Sequence, residues 1–421
     1  MSYHVKYLSL VCSLFLNTAD LTFASENGVY VWQRSWNTEL RDSIKVVENC
    51  VSIFLVLGGN FSCEDGKIRF KKVDVNWDYF GEKANVVMVF RVSSDYSSLL
   101  GNENSWPEFS RYIADFITAG KQKVNIAGLQ LDYDCPTSKL TDYSKFLGFI
   151  KRQFPDCKIS ITALPTWLDS NEFLNLAKET DYYVMQLYSF EPPKTINDEA
   201  EIFLKDNALS WIESADKIGR PFYIALPTYG YEIIFGADGR FIGFKAEHEP
   251  LIFKEKIQVR TVSTSPDEII SFLDGLKTKR LKKIRGVFWF RLPVESDEFN
   301  WDIKTFLSVL SGKIPNCGLK AYLDEKENGL LELYLENTGE RNISSEVSFN
   351  VAWSGDAPYY DVIGGFRAQS IKNGIKIVGK APKAGKKVLA AWFKNTRDNK
   401  SNLMVGAVDF IAGGGTTYLA E

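Results

Sequence analysis

Between Val29 and Phe290 the chain alternates short runs rich in Val, Ile, Phe and Tyr with longer segments of helical period, and it does so eight times. The apolar runs are Val29–Trp32, Ser52–Leu57, Asn85–Arg91, Ile126–Asp134, Lys158–Leu164, Tyr182–Tyr188, Phe222–Leu226 and Arg285–Phe290. Runs with few polar interruptions belong to strands covered on both faces, and strand-helix alternation builds parallel sheets. Eight such units are the number that closes on itself, so the expected fold is a (β/α)8 TIM barrel.

Helix punctuation supports this division. Tyr143, Phe146, Leu147, Ile150 and Phe154 repeat at three- and four-residue spacing ahead of Pro155, and Ser265-Pro266-Asp267-Glu268 reads as a capped helix start. Glu232 to Thr264 is longer than one connection requires, and its glycines predict an inserted hairpin over the barrel mouth. Ala163-Leu164-Pro165-Thr166-Trp167 recurs as Ala225-Leu226-Pro227-Thr228-Tyr229, a weak internal repeat at two strand ends. Duplication of a βα pair and coincidence account for it equally well.

Trp301 to Leu310 reads as the last barrel helix, and Ser311-Gly312-Lys313-Ile314-Pro315-Asn316 breaks the pattern. Alternating residues in Leu319–Leu323, Leu330–Leu335, Val347–Trp353, Ile375–Val378 and Val388–Phe393 then predict a small C-terminal β-sandwich. The lysines between Lys372 and Lys387 fit a solvated edge that discourages strand pairing. The expected organisation is a signal peptide over 1–25, a barrel over 26–312 and a sandwich over 316–421.

The signal assignment rests on Lys6 and His4 ahead of an apolar core from Tyr7 to Leu16, with small residues at Ala24-Ser25. That core is too short to span a bilayer, so the expectation is an exported protein, periplasmic or secreted, without an integral span after signal removal. A net charge of -3 over 421 residues carries no electrostatic footprint for nucleic acid. Cys50, Cys63, Cys135, Cys157 and Cys317 form no zinc or disulfide framework. A Cys50–Cys63 pair is conceivable in an oxidising compartment, but separate thiols are the default.

Catalytic groups of such barrels gather at the C-terminal ends of the strands. The fourth run ends Gly-Leu-Gln-Leu-Asp-Tyr-Asp, which places Gln130, Asp132 and Asp134 on one face at about 6.6 Å per step. Two neighbouring carboxylates repel, so one keeps a proton to higher pH than usual. A strand end whose aspartates cap the next helix or bind an arginine is the competing reading. His4 lies in the signal region and His248 in the insertion, so neither a histidine triad nor a histidine-bound metal is expected, and no cofactor. Paired carboxylates among aromatics point to glycosidic bond cleavage.

Four strand-end motifs carry a resemblance. Gly-Leu-Gln-Leu-Asp-Tyr-Asp, Gln-Leu-Tyr-Ser at 186–189, Leu-Pro-Thr-Tyr-Gly at 226–230 and Gly-Val-Phe-Trp at 286–289 resemble the fourth, sixth, seventh and eighth strand motifs of chitinase-like family-18 glycoside hydrolases. The chain start, Val29-Tyr-Val-Trp-Gln-Arg, and Leu131-Asp-Tyr-Asp also look like a bacterial domain-of-unknown-function family, number 3142, of exported barrels. The glycosidase resemblance implies Asp134 as general acid, Asp132 as the residue orienting the substrate's acetamido group, and Tyr188 as its support. It further implies a polysaccharide or oligosaccharide ligand containing N-acetylhexosamine, for which the strand ends offer Gln130, Gln186, Trp32, Arg91, Trp167, Tyr229 and Trp289 as candidate contacts. The sequence departs from the family at Ala127, Gln130 and Ser189, and Asp134 stands where the family has glutamate, one methylene longer. Trp289 lies one residue before the family's eighth-strand tryptophan. Those departures keep two alternatives open: a barrel that binds carbohydrate without cutting it, and an envelope scaffold whose aspartates pair with Arg34 or Arg91.

Overall fold

A computed structural model describes residues 26–82, 84–189, 191–247, 256–343, 345–395 and 402–411, and the expected signal segment lies outside them. By internal contacts the chain divides into two compact units. The first takes the residues up to Pro193, Asn197–Gly230 and Val262–Ser296. The second takes Lys194–Ile196, Tyr231–Thr261 and the chain from Asp297 onward.

The first unit is a closed barrel of eight parallel strands. They are β1 (Glu26–Val31), β2 (Ile53–Glu64), β3 (Asn85–Val92), β4 (Asn125–Tyr133), β5 (Lys158–Ala163), β6 (Tyr182–Gln186), β7 (Phe222–Pro227) and β8 (Ile284–Phe290). Each pairs with the next in sequence, and β8 returns to β1, so no strand edge is left open. All eight runs read from the sequence are strands.

Among the described residues of the first unit, the helices of eight residues or more are α1 (Thr38–Val47), α2 (Trp106–Lys121), α3 (Leu140–Gln153), α4 (Asn171–Lys178), α5 (Lys205–Ile218) and α6 (Pro266–Lys277). Local chemistry fixes their starts. The side chains of Asn37, Ser170 and Ser265 accept from the backbone N–H groups of Leu40, Phe173 and Glu268, satisfying donors a helix leaves unpaired. Helix α3 buries Tyr143, Phe146, Leu147 and Ile150, the predicted stripe. The connection from β2 to β3 is different: strand Lys67–Lys72 folds back antiparallel on β2, and a single turn over Trp77–Tyr79 follows. Among the described residues no α-helix lies in that connection.

Inside the barrel, alternate residues of each strand meet. Tyr30, Leu55, Val87, Val89, Tyr182, Val184, Tyr223, Ala225 and Phe288 form one buried cluster, with Trp32, Tyr188 and Phe290 packed against it. Gly28 makes room for Phe288, because a Cβ there would approach the Phe288 ring to 2.6 Å. The lumen is a packed core, apolar apart from the buried, hydrogen-bonded Gln130 and Ser160.

Gly230–Gly236 and Phe241–Lys245, which but for Gly230 belong to the second unit, form the predicted hairpin, and Ile257–Ser263 pairs along the other side of Gly230–Gly236. Two further antiparallel sheets follow. One orders Leu319–Glu325, Leu330–Asn337, Lys387–Lys394 and Tyr359–Val362; the other orders Arg367–Ile371, Gly374–Lys380, Glu346–Ser354 and Asn402–Val405. Leu333, Leu335 and Phe393 of the first share a core with Val347, Phe349, Val351 and Ile377 of the second, which makes the pair a β-sandwich. Arg367–Ile371 is an exposed edge strand, whereas Lys376 and Lys380 lie on Gly374–Lys380, an interior strand between it and Glu346–Ser354, so the lysine-rich stretch is not the sheet edge the sequence predicts.

Candidate active site

Strand β4 carries the site. Gln130 and Asp132 share its inner face, and Asp134 follows one residue beyond its last residue, Tyr133. Leu129, Leu131 and Tyr133 on the opposite face are buried. Gln130 has no accessible surface: the Tyr30 hydroxyl donates to its Oε1 at 2.7 Å, and its Nε2 donates to Ser160 Oγ at 3.3 Å. Every polar end of this amide therefore has a partner, as a buried amide requires.

One step along the strand, Asp132 is half-buried and opens upward from that closed floor. Thr162 on β5 donates to its Oδ1 at 2.8 Å. Removal from water pushes the Asp132 carboxyl up from 3.8 to about 6, and the charge of Asp134 adds to the rise. The Thr162 hydrogen bond and the Arg91 charge pull the other way without overcoming it. Asp134 is also shifted upward by desolvation, opposed by the Arg91 charge and by a hydrogen bond from Gln186. Its side chain is exposed, so solvent screens much of that penalty.

Arg91 lies beside Asp132 in the β3–β4 register. Among the described residues neither aspartate pairs directly with a guanidinium, and Arg91 and Arg34 are both exposed. The neighbouring Arg91 charge acts on both carboxyls without a direct ion pair. Among the described residues no cluster of His, Cys, Asp or Glu is placed to hold a metal.

An aromatic wall stands beside the carboxylates. Tyr188 stacks on Phe290 with centroids 5.7 Å apart, Tyr229 meets both edge-on, and Trp32 packs against Phe290 at 5.1 Å. The Tyr188 hydroxyl is held well above its usual pKa, first by burial and then by Tyr229, Tyr30 and the two aspartates. It stays protonated and able to donate.

The structure therefore brings Asp132, Asp134, Gln186, Tyr188, Tyr229, Trp32 and Arg91 together at one barrel mouth. Three expected ligand contacts are placed elsewhere. Gln130 forms the floor beneath Asp132. Trp167 is 1% exposed and donates from its indole to the Cys135 carbonyl at 3.0 Å, behind β4. Trp289 is equally buried, with its indole N–H 3.3 Å from Asn27 Oδ1. The reason is strand parity: Phe288 and Phe290 face inward, which turns Trp289 outward under the helices. The two copies of the repeat also part company, since Pro165–Trp167 coils into a 3₁₀ turn while Tyr229 stays at the mouth.

Sequence reasoning did not single out Tyr30, Ser160, Thr162 or Phe290. Their signal was available: in β5 the polar Ser160 and Thr162 alternate with Ile159 and Ile161, and Phe290 shares parity with Phe288. The five described cysteines form no disulfide, and no helix among the described residues is long and apolar enough to cross a membrane.

Comparison with solved structures agrees with this architecture. The Bacillus megaterium QM B1551 spore cortex-lytic enzyme SleL superposes with a TM-score of 0.51 at 13% identity, over 70% of this chain and 75% of that one. Its Bacillus cereus counterpart gives 0.50 at 11% identity, over 68% and 74%. A chitinase from Chromobacterium violaceum ATCC 12472 gives 0.49 at 11% identity, over 69% and 99%. At these identities the two superpositions that reach 0.50 establish the barrel fold and nothing finer. No curated protein matches the sequence. The family profile described as Domain of unknown function (DUF3142) matches residues 83–295, half of the sequence and most of the barrel wall including β4, and the chain belongs to that family.

Proposed function

We propose that this protein is an exported glycoside hydrolase that cuts an N-acetylhexosamine-containing polysaccharide with assistance from the substrate's own acetamido group. The observation that carries the reading is the Asp132–Asp134 pair at the mouth, one carboxyl shifted up to about 6 and neither tied to a guanidinium among the described residues. The similarity of the fold to spore cortex-lytic enzymes supports the substrate class.

In this reading Asp134 transfers a proton to the glycosidic oxygen as the bond from the anomeric carbon to that oxygen breaks. The acetamido carbonyl oxygen attacks the anomeric carbon, and Asp132 accepts from the acetamido N–H as positive charge develops. Tyr188 and Gln186 hold the acetamido oxygen and the acid in line. Water then opens the cyclic intermediate and returns the proton to Asp134. Trp32 and Tyr229 supply apolar faces for the sugar rings.

The test is release of reducing ends from chitin oligosaccharides and from peptidoglycan by the purified protein, beside its Asp134→Asn variant. Turnover by the wild type that falls at least about a hundredfold in the variant is expected. Absence of turnover, with oligosaccharide binding that does not change with pH around 6, would convert the proposal into the rival reading, a barrel that binds carbohydrate without cutting it. The exposed position of Asp134 and its short side chain are what favour that rival. Export is tested by N-terminal sequencing of protein recovered outside the cytoplasm, with cleavage near Ala24-Ser25 expected.

A further inference from the structure

Among the described residues the connection between β2 and β3 holds no α-helix, and a trough of about 690 Å³ lies there against α2, on the outside of the barrel. Its volume falls in the range of small-molecule sites. The floor is aromatic. Phe70 and Tyr112 lie with centroids 5.1 Å apart, and Trp77 meets Phe116 edge-on at 5.9 Å. Phe70, Trp77 and Tyr112 are all half-exposed into the trough. Gly120 allows Trp77 to nest against α2, since a Cβ there would come within 3.2 Å of the indole.

The rim is polar but nearly neutralised. Lys123 pairs with Asp78 at 3.0 Å, and Lys72 with Asp74 at 3.7 Å. Two groups lining the trough have no hydrogen-bond or ion-pair partner among the described residues: the Asp115 carboxylate and the Trp77 indole N–H. The ring faces offer apolar contact, and Asp115 and Trp77 offer an acceptor and a donor at their edge. A saccharide satisfies both, with C–H faces against the rings and hydroxyls donating to Asp115 or accepting from Trp77.

We infer that this trough is a second, non-catalytic binding site for a short neutral oligosaccharide, separate from the barrel mouth. It shares its ligand class with the proposed reaction but does not depend on turnover. A trough that grips the polymer beside the cutting site would keep the enzyme on insoluble substrate.

The experiment is calorimetric titration of the full chain with a thio-linked chitotriose, which resists hydrolysis. Wild type, Trp77→Ala, Asp115→Ala and the mouth variant Trp32→Ala are compared, with sedimentation velocity on each. Two sites are expected in wild type; Trp77→Ala removes one, Asp115→Ala weakens that same one about tenfold, and Trp32→Ala weakens only the other. Asp115 is exposed, so its variant tests the site even if Trp77→Ala disturbs folding. Binding altered by Trp32→Ala alone overturns the trough and leaves the mouth reading standing. Binding altered by the trough variants alone supports the trough and removes the mouth. No binding at all overturns both, and self-association that Trp77→Ala abolishes would assign the trough to a second copy of the chain instead.

Discussion

The Thr162 hydroxyl donates to Oδ1 of Asp132 across the β4–β5 pair at 2.8 Å, making it the one direct hydrogen bond that holds this carboxylate among the described residues. The bond favours the charged form and works against the desolvation that raises the pKa. Replacing Thr162 with Val is expected to raise the Asp132 pKa further, toward neutrality. Carboxyl carbon NMR titration of ¹³C-labelled Asp checks it; a downward shift would refute the assignment.

The same shift has a consequence for stability. The folded protein holds the Asp132 proton more tightly than the unfolded chain, so this group favours folding most below the ordinary carboxylate pKa. That contribution is lost as pH rises from about 4 through about 6, by at most about 3 kcal/mol. Asp132→Asn is expected to flatten the dependence and to raise Tm at pH 7 relative to wild type. Thermal unfolding at pH 4, 5, 6 and 7 on both proteins reads this directly.

If the proposed mechanism holds, Asp132 must be ionised to accept from the acetamido N–H, so the reaction rate falls as pH drops below about 6, which a pH–rate profile on chitin oligosaccharides reads. Asp134→Glu adds the methylene that separates this aspartate from the glutamate of the chitinase-like motif it resembles. It is expected to retain or increase turnover of chitin oligosaccharides, whereas Asp134→Asn lowers it at least about a hundredfold. A glutamate variant as inactive as the asparagine one would remove Asp134 from the role of acid.

Trp289 and Trp32 separate packing from recognition. Trp289 is 1% exposed beneath the helices, so Trp289→Ala is expected to cost about 3–5 kcal/mol of stability, measured by urea unfolding. Trp32 is half-buried at the mouth, and its alanine variant is expected to weaken saccharide binding with a smaller loss of stability.

Tyr30 and Gln130 make a similar test of the floor. Tyr30→Phe leaves the buried Gln130 Oε1 without its donor, at a cost of about 1–3 kcal/mol. The same change is expected to leave the affinity for a mouth ligand within about twofold. Urea unfolding and calorimetry separate the two effects.

The barrel was legible because each run between Val29 and Phe290 carries its own apolar signal and its own punctuation, and local signals survive translation into structure. Asp132 and Asp134 were legible for a related reason: a polar pair at two-residue spacing on a buried strand leaves few places to point. Trp167 and Trp289 were misplaced because composition identifies an aromatic but not the face it takes. Parity in β8 assigns the inward position to Phe290, and a 3₁₀ turn carries Trp167 behind β4. The trough was invisible in the sequence because it arises where the β2–β3 connection holds no α-helix among the described residues. Lys67–Lys72 is a strand of alternating Lys and Arg with Ile and Phe, and nothing local marks it as a substitute for a barrel helix.

The contact between the Tyr30 hydroxyl, Gln130 and Ser160 makes the mouth a blind well, stopped with side chains just beneath Asp132. Whatever reaches the carboxylates must back out by the route it came in. Passage of a chain through the lumen from one end of the barrel to the other is sterically barred.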